Sequence, residues 1–329
     1  MIITLTANPS LDRTVELPGI LARGEVQRAS AVRSEAGGKG VNVSRALAAS
    51  GLDTLALLPG DANDPVVTAL AAAAIPHHAL PIGAPLRSNI TLTEPDGTTT
   101  KVNEPGPELG RDELDALTAL VLDEARDAGW VVLAGSLPPG VPADYYARLT
   151  RWIRSELGTD APRIAVDSSG TPLLEAINAG ADAAPDLLKP NGEELAELAS
   201  LAGLPEQHDG AALEADPVLA ARAATAVVER GVGAVLATLG SNGAVLVTAD
   251  GAWHARHAPI KAVSTVGAGD SSLAGYLLVA QNGGTPVERL TQAVAHGAAA
   301  ASLPGSTVPG LHQTTPSAVT VTALAKDSL

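Results

Sequence analysis

The sequence has no cysteine and no phenylalanine, and both absences restrict what the protein can be. Without cysteine there are no disulfides and no thiolate metal sites, which fits a reducing cytoplasm. Aromatic residues make up 2% of the chain, so the core must be packed mainly from Ala, Val and Leu. Hydrophobic residues still fill 46% of the 329 positions, enough for one large α/β domain or two small ones.

Basic residues and long apolar runs are also scarce. The 21 Lys and Arg residues are outnumbered by 36 Asp and Glu, and the net charge of −15 disfavours non-specific binding to nucleic acid. No run approaches the roughly 18 apolar residues typical of a membrane helix, and the first residues lack the pattern of a signal peptide. We therefore expect a cytoplasmic protein that concentrates its few cations where anions bind.

One glycine-rich turn, Gly267-Ala268-Gly269-Asp270, stands between an extended polar segment and an apolar run. This order predicts a tight turn that opens a helix, whose free N–H groups and dipole suit a phosphate. Asp270 has two interpretations. It is an ordinary N-cap residue, or it takes a proton from a hydroxyl that attacks the phosphorus, which explains a carboxylate beside a phosphate.

Two further glycine turns occur at Gly37-Gly38-Lys39-Gly40 and at residues 240–243. The first is a flexible helix entrance or a phosphate site that includes Lys39. A dinucleotide-binding loop fits poorly, because the GxGxxG spacing is absent. Three such turns exceed the needs of one phosphate and match a nucleotide plus a phosphorylated acceptor.

Asn191 and Glu194 stand three residues apart at a predicted helix start, just after Lys189. On spacing alone they form a capping box. Beside a triphosphate, the same pair is suited to Mg²⁺, held largely through water.

Strands and helices alternate over most of the chain, which predicts an α/β fold with a doubly wound, mostly parallel sheet flanked by helices. Two polar β segments, at about 11–34 and 87–103, interrupt this alternation and predict a small β-sheet lid. We expect a single domain over 1–329, with a polar surface insertion at 205–217 and a loose tail at 311–329.

The motifs together resemble the ribokinase-like carbohydrate kinases of the phosphofructokinase B group, over nearly the whole chain. The two signatures are the stretch from Gly37 to Asn42 and the stretch from Val266 to Asp270. Within that family they are most similar to the branch that phosphorylates fructose 1-phosphate. The residues from Thr6 to Asp12 and from Gly135 to Pro138 add to this likeness.

The resemblance implies a role for each matching residue. Asp270 is implied as the general base, with the amides of Gly267, Ala268 and Gly269 forming the anion hole. Asn191 and Glu194 are implied to hold Mg²⁺. The implied sugar-phosphate residues are Asp12, Arg28, Gly37, Gly38, Lys39, Asn42, Arg87, Asn103 and Ser136. The implied nucleotide residues are Lys189, Asn191, Thr238, Gly240, Gly243, Val266 and Ala295.

The implied reaction is transfer of a phosphoryl group from ATP to the 6-hydroxyl of fructose 1-phosphate, with Mg²⁺ as cofactor. Tagatose 6-phosphate and fructose 6-phosphate are alternative substrates, and a non-catalytic phosphosugar sensor is an alternative function. The resemblance also implies a homodimer that pairs through the lid strands, whose polar edges are suited to association.

Overall fold

The structure, a computed structural model, describes residues 1–203 and 208–325. The described residues form a ten-stranded sheet and a four-stranded sheet. In the large sheet, the strands are β1 (Ile2–Thr6), β4 (Thr54–Pro59), β5 (His77–Leu80), β8 (Trp130–Ala134), β9 (Arg163–Asp167), β10 (Leu187–Leu188), β11 (Ala234–Thr238), β12 (Ala244–Thr248), β13 (Gly251–His257) and β14 (Val319–Leu324).

The large sheet runs in the order β14-β13-β12-β11-β10-β9-β8-β1-β4-β5. The strands from β11 to β5 pair in parallel, while β12, β13 and β14 are antiparallel additions at one edge. The predicted doubly wound, mostly parallel sheet is therefore confirmed. β1 lies between β8 and β4, so the chain winds outward from β1 in both directions. Such a switch point places a crevice at the carboxyl ends of β1 and β8.

Helices cover both faces of this sheet, because successive side chains of each buried strand point to opposite sides. Ile2 packs on the face covered by the first, ninth and tenth helices, whereas Ile3 and Leu5 pack on the other face. The helices are α1 (Lys39–Ala49), α2 (Pro65–Ala72), α3 (Arg111–Ala125), α4 (Tyr145–Leu157), α5 (Thr171–Asn178), α6 (Gly192–Ala202), α7 (Gly210–Ala215), α8 (Pro217–Val228), α9 (Ala268–Gln281) and α10 (Pro286–Ala301). None of these described helices is long and apolar enough to cross a membrane.

The small sheet has the order β3-β2-β6-β7 and consists of β2 (Ser10–Glu16), β3 (Ala31–Gly37), β6 (Arg87–Thr93) and β7 (Thr99–Asn103). It uses strands from both predicted lid segments. β2 and β6 pair in parallel, and the outer strands pair antiparallel to them. Because β2 begins four residues after β1 ends, the small sheet stands directly above the switch point.

The C-terminal segment differs from its prediction. Residues 311–325 were expected to be loose, but they form two short 3₁₀ turns and β14, which pairs antiparallel with β13. Val319 and Val321 pack against the core, whereas Thr320 and Thr322 alternate with them. Apolar residues occupy alternate positions at the start of this strand, but the many Thr and Ser residues made the segment resemble a loop. Residues 326–329 of the predicted tail lie outside the described residues.

The segment 205–217 is also more integrated than a surface insertion. Residues 205–207 lie outside the described residues, but α7 follows, and its Gly210 and Leu213 are buried. Asn242 Nδ2 donates a hydrogen bond to the Glu214 carbonyl oxygen at 2.9 Å. This bond ties α7 to the glycine turn after β11.

Candidate active site

Polar side chains gather where the parallel strands end. The carboxyl ends of β11, β10, β9, β8 and β1 adjoin one another, because these strands are neighbours in the sheet. From β11 to β1, the residues at or just after these ends are Thr238, Lys189, Asp167, Ser136 and Asn8. Open α/β sheets bind their ligands at this edge.

The glycine turn at residues 267–269 opens α9 above this edge. Gly267 has φ +74°, a left-handed conformation that favours glycine, and it precedes the first residue of the helix. Asp270 lies in the first turn and is buried, and its side chain is not the helix cap. Asn42 of α1 donates from Nδ2 to Asp270 Oδ2 at 2.8 Å. The ordinary N-cap interpretation of Asp270 is therefore wrong.

The pKa of Asp270 is raised from 3.8 to about 6. Burial is the largest cause, followed by the negative charge of Asp167, while Lys189, Asn42 and Lys39 act in the opposite direction. A carboxylate with this pKa is ionised at neutral pH and is a better proton acceptor than an exposed aspartate.

Asp167 lies at the centre of a buried ion-pair chain and was absent from the predicted site. Its Oδ1 is 2.7 Å from Lys39 Nζ, and its Oδ2 is 3.2 Å from Lys189 Nζ. Burial alone raises the pKa of a carboxyl group, but the two ammonium groups lower the pKa of Asp167 below its usual value. A carboxylate as the last residue of the buried strand β9 was the available sequence signal.

Lys39, which the family resemblance implies for the sugar phosphate, has two carboxylates as its partners in the structure. Its ammonium contacts Asp167 and, at 3.4 Å, Glu194 Oε1. Burial lowers the pKa of Lys39, but these two carboxylates outweigh burial and raise it. Lys39 therefore lies next to Glu194, one of the two predicted metal residues. Arg87, which was predicted for the same phosphate as Lys39, has other partners.

Lys189 and Glu194 complete this side of the site. A Cβ added to Gly269 would lie 3.3 Å from Lys189 Nζ, so this cation sits beside the glycine turn. Asn191 and Glu194 form the predicted capping box at the start of α6, with bonds of 2.8 and 2.9 Å. Glu194 Oε2 caps the helix, while Oε1 faces Lys39.

Asp12 and the first glycine turn form another wall. Asp12 Oδ1 accepts hydrogen bonds from Ser10 Oγ at 2.7 Å and from Asn89 Nδ2 at 3.1 Å. Burial raises the pKa of Asp12, although these bonds and two nearby Arg charges oppose the shift. A Cβ at Gly37 would collide with the Asp12 carboxylate, and one at Gly38 would collide with Thr6. These glycines therefore allow a close approach that alanine prevents.

Arg87 and Ser136 meet at the crevice beside β8. Arg87 donates to the Asn8 carbonyl oxygen at 3.2 Å, to the Glu104 carbonyl oxygen at 3.2 Å and to Ser136 Oγ at 3.5 Å. Burial lowers the pKa of Arg87, and Asp12 and Glu104 partly offset this effect. Arg28 and Asn103, predicted for the same phosphate, are exposed residues of the small sheet and its loop.

The remaining predicted residues lie on the side of β11. Thr238 ends this strand, and its amide donates to the Pro190 carbonyl oxygen at 3.0 Å. Gly240 and Gly243 bound the next turn with φ of +55° and +87°. Val266 is partly exposed at the entry to α9, but Ala295 is fully buried in α10. Ala295 therefore supports the wall from behind and presents no surface to a ligand.

The chain matches the pfkB carbohydrate kinase family over residues 6–313. It belongs to that family. The family match identifies the protein as a carbohydrate kinase, whose structure has a glycine turn at a helix start beside a buried carboxylate.

Similar proteins include family members with different named substrates. A 1-phosphofructokinase of Xanthomonas campestris is 36% identical over 290 residues, which cover 87% of this chain and 86% of that protein. An ATP-dependent 6-phosphofructokinase isozyme 2 of Mycobacterium tuberculosis is 34% identical, covering 93% and 85%. The structure of Escherichia coli phosphofructokinase-2 with substrates and products has a TM-score of 0.83 and 31% identity, covering 95% and 96%.

Proposed function

We propose that this pfkB kinase transfers the γ-phosphoryl group of ATP to the 6-hydroxyl of fructose 1-phosphate. The observation that carries the proposal is the buried Asp270 carboxylate at the start of α9, held by Asn42 at 2.8 Å. The name 1-phosphofructokinase on relatives at 34–36% identity supports the choice of sugar phosphate.

In the proposed reaction, the sugar 6-oxygen attacks the γ-phosphorus, and its proton passes to Asp270. The bond to the β–γ bridging oxygen breaks, and ADP leaves with the electron pair. The amides of the turn 267–269 face the charge that develops on the transferred group. Lys189 and Lys39 add positive charge on the same side, and Asp167 holds both ammonium groups in place.

The residues present fit a magnesium ion. Glu194 and Asp167 offer carboxylate oxygens, and Asp167 Oδ2 is buried without a hydrogen bond, although Lys189 lies 3.2 Å away. Within residues 1–203 and 208–325, no three or more His, Asp or Glu side chains are grouped so that they could hold a metal ion. We infer that Glu194 and Asn191 contact the ion largely through water, and that nucleotide phosphates supply the remaining oxygens. Bound there, Mg²⁺ supplies charge neutralisation to the phosphates.

On the sugar side, we propose that Asp12 and Asn42 bind hydroxyl groups and that Arg87 and Ser136 bind the phosphate already present. Asp12 Oδ1 is occupied by Ser10 and Asn89, and its other oxygen faces the Gly37 turn. Arg28 and Asn103 remain candidates for the same phosphate if the small sheet closes as a lid.

Fructose 6-phosphate is a second candidate substrate, since one relative at 34% identity is named a 6-phosphofructokinase. Tagatose 6-phosphate carries its phosphate at the same end of the sugar. A coupled assay of ADP release, with kcat/KM measured on all three phosphosugars, tests the proposal. We expect fructose 1-phosphate to give the highest value, and a preference for either 6-phosphate would overturn the assignment.

We also propose a homodimer formed through the small sheet. Ile20 and Val26 are 77% and 94% exposed in the loop between β2 and β3, and Val32 and Val102 are exposed on the outer strands. Apolar side chains on sheet edges are suited to association with a second copy. Sedimentation of Val26→Asp is expected to give monomers, whereas Val287→Asp, at an exposed valine of α10, should leave the dimer intact. A wild-type monomer would contradict this proposal.

A further inference from the structure

Asn8 connects the two strands of the switch point. It follows β1, it is 4% exposed, and its Nδ2 donates to Ser136 Oγ just after β8 at 3.3 Å. The same nitrogen donates to the Pro105 carbonyl oxygen at 3.0 Å. Residues 8, 105 and 136 are far apart in the sequence, so the fold alone brings them together.

The Pro105 carbonyl fixes the orientation of the Asn8 amide. A carbonyl oxygen only accepts hydrogen bonds, so the nitrogen of Asn8 must face it. The Asn8 Oδ1 atom is then buried and without a hydrogen-bond partner among the described residues. It lies against Gly106, where an added Cβ would collide with it. Because most buried polar atoms are paired, an unpaired amide oxygen held in this way calls for an explanation.

This orientation determines where the Ser136 hydroxyl proton points. Ser136 Oγ accepts one N–H from Asn8 and approaches a second from Arg87, at 3.5 Å. A hydroxyl has two acceptor lone pairs and one proton, so its proton must point away from both donors. In the described residues, no hydrogen bond from Ser136 Oγ to an acceptor is formed. The proton therefore remains available for an anion.

Asn8 also holds Arg87. The Asn8 carbonyl oxygen accepts from Arg87 Nε at 3.2 Å, and the Glu104 carbonyl oxygen accepts from Nη1 at 3.2 Å. Each terminal nitrogen of the guanidinium carries a second N–H, which these contacts leave free. One residue thus aims two donors, a hydroxyl and a guanidinium, at the same crevice.

We infer that Asn8 is a positioning residue that directs the Ser136 hydroxyl and the Arg87 guanidinium to the phosphate already on the sugar. The inference rests on the proposed function, which places that phosphate at Arg87 and Ser136. Asn8 acts through Ser136 with its side chain and on Arg87 with its backbone. Side-chain substitutions therefore affect the phosphosugar mainly through Ser136.

A double-mutant cycle of Asn8→Ala and Ser136→Ala tests this inference, with KM for fructose 1-phosphate as the readout. Each single change is expected to raise that KM roughly 3- to 10-fold, as for loss of one hydrogen bond, with kcat within about twofold. The double variant is expected to match the larger single effect, because the side chain of Asn8 acts only through the Ser136 hydroxyl. KM for ATP serves as the internal control and should not change.

Asn8→Asp distinguishes positioning from a purely structural role. It keeps the size of the side chain but replaces the donor by a charged acceptor, to which Ser136 would donate its proton instead. We expect KM for fructose 1-phosphate to rise more than about 10-fold, beyond the effect of Asn8→Ala. If Asn8 were only structural, the KM change of each variant would follow its loss of melting temperature, because a buried carboxylate facing the Pro105 carbonyl oxygen also costs stability. Melting temperatures identify a variant that fails to fold, and the other variant then carries the test.

Two outcomes overturn the inference. One is a double variant whose KM increase is the product of the single increases, and the other is an Asn8→Asp effect no larger than that of Asn8→Ala. A wild-type enzyme that does not turn over fructose 1-phosphate contradicts the proposed function instead, before any variant is measured.

Discussion

Asn42 and Asp270, 228 positions apart in the sequence, are joined by a 2.8 Å hydrogen bond from Nδ2 to Oδ2. Each stands in the first turns of its helix, α1 or α9, and each helix follows a glycine turn. The bond places the two turns on either side of one reaction centre. It therefore links the residue proposed to bind a sugar hydroxyl with the one proposed to deprotonate it.

Asp270→Asn is expected to lower kcat by roughly 10²- to 10⁴-fold, because the amide cannot accept the proton of the attacking hydroxyl. Size and burial are retained, so the melting temperature and calorimetric binding of ATP should persist. Asp250→Asn, at an exposed turn, is the matched control. Turnover within about twofold of wild type would remove Asp270 from the mechanism.

The pH profile of kcat/KM should follow the ionisation of Asp270. A general base acts when deprotonated, so activity is expected to rise with pH through about 6, the raised pKa of Asp270. The bond from Asn42 lowers this pKa, and Asn42→Leu should therefore move the acid limb to higher pH.

The phosphate of the substrate also titrates near pH 6. It does so equally for wild type and variant, and the difference between the two profiles isolates the enzyme group. An acid limb that stays in place in Asn42→Leu, or moves to lower pH, would contradict the assignment.

Lys39→Met tests whether this ammonium serves the transferred phosphoryl group or the sugar phosphate. Because Lys39 contacts Asp167 and Glu194, we expect kcat to fall roughly 10²- to 10³-fold. KM for the phosphosugar should rise less in Lys39→Met than in Arg87→Ala. Lys101→Met, on the exposed strand β7, is the control. A large rise in that KM at unchanged kcat would favour the role implied by the family resemblance instead.

Local patterns predicted the parts of the site that depend on short stretches of chain. The turn 267–269 with Asp270, and the pair Asn191 and Glu194, are each contained within four residues, so glycine content and helix caps revealed them. The alternation of strands and helices likewise predicted the parallel sheet.

Contacts between distant residues were not predictable in this way. Lys39 and Asp167 are 128 positions apart, and nothing near Lys39 indicates that its charge meets a carboxylate at the end of β9. The strand β14 forms because β13 offers a free edge, which is a property of the assembled sheet. The sequence pattern of such a strand is too short to distinguish it from a loop.

Gly37→Ala should act as a substitution of Asp12. The backbone of Gly37 does not require glycine, but a Cβ there would collide with the Asp12 carboxylate, which must then move. If Asp12 binds a sugar hydroxyl, KM for the phosphosugar is expected to rise roughly 10- to 100-fold, as for a lost hydrogen bond to a charged group, with KM for ATP unchanged.

Combining Gly37→Ala with Asp12→Asn should add little to the larger single effect, because both changes disable one carboxylate. Gly19→Ala is the matched control, since its added Cβ meets no atom within 4 Å. If Gly37→Ala behaves like this control, the Asp12 carboxylate can move without loss of substrate, and its proposed role in sugar binding fails. If the KM increase of the double variant is instead the product of the two single increases, Gly37 acts independently of Asp12, through the close approach of its backbone to the sugar.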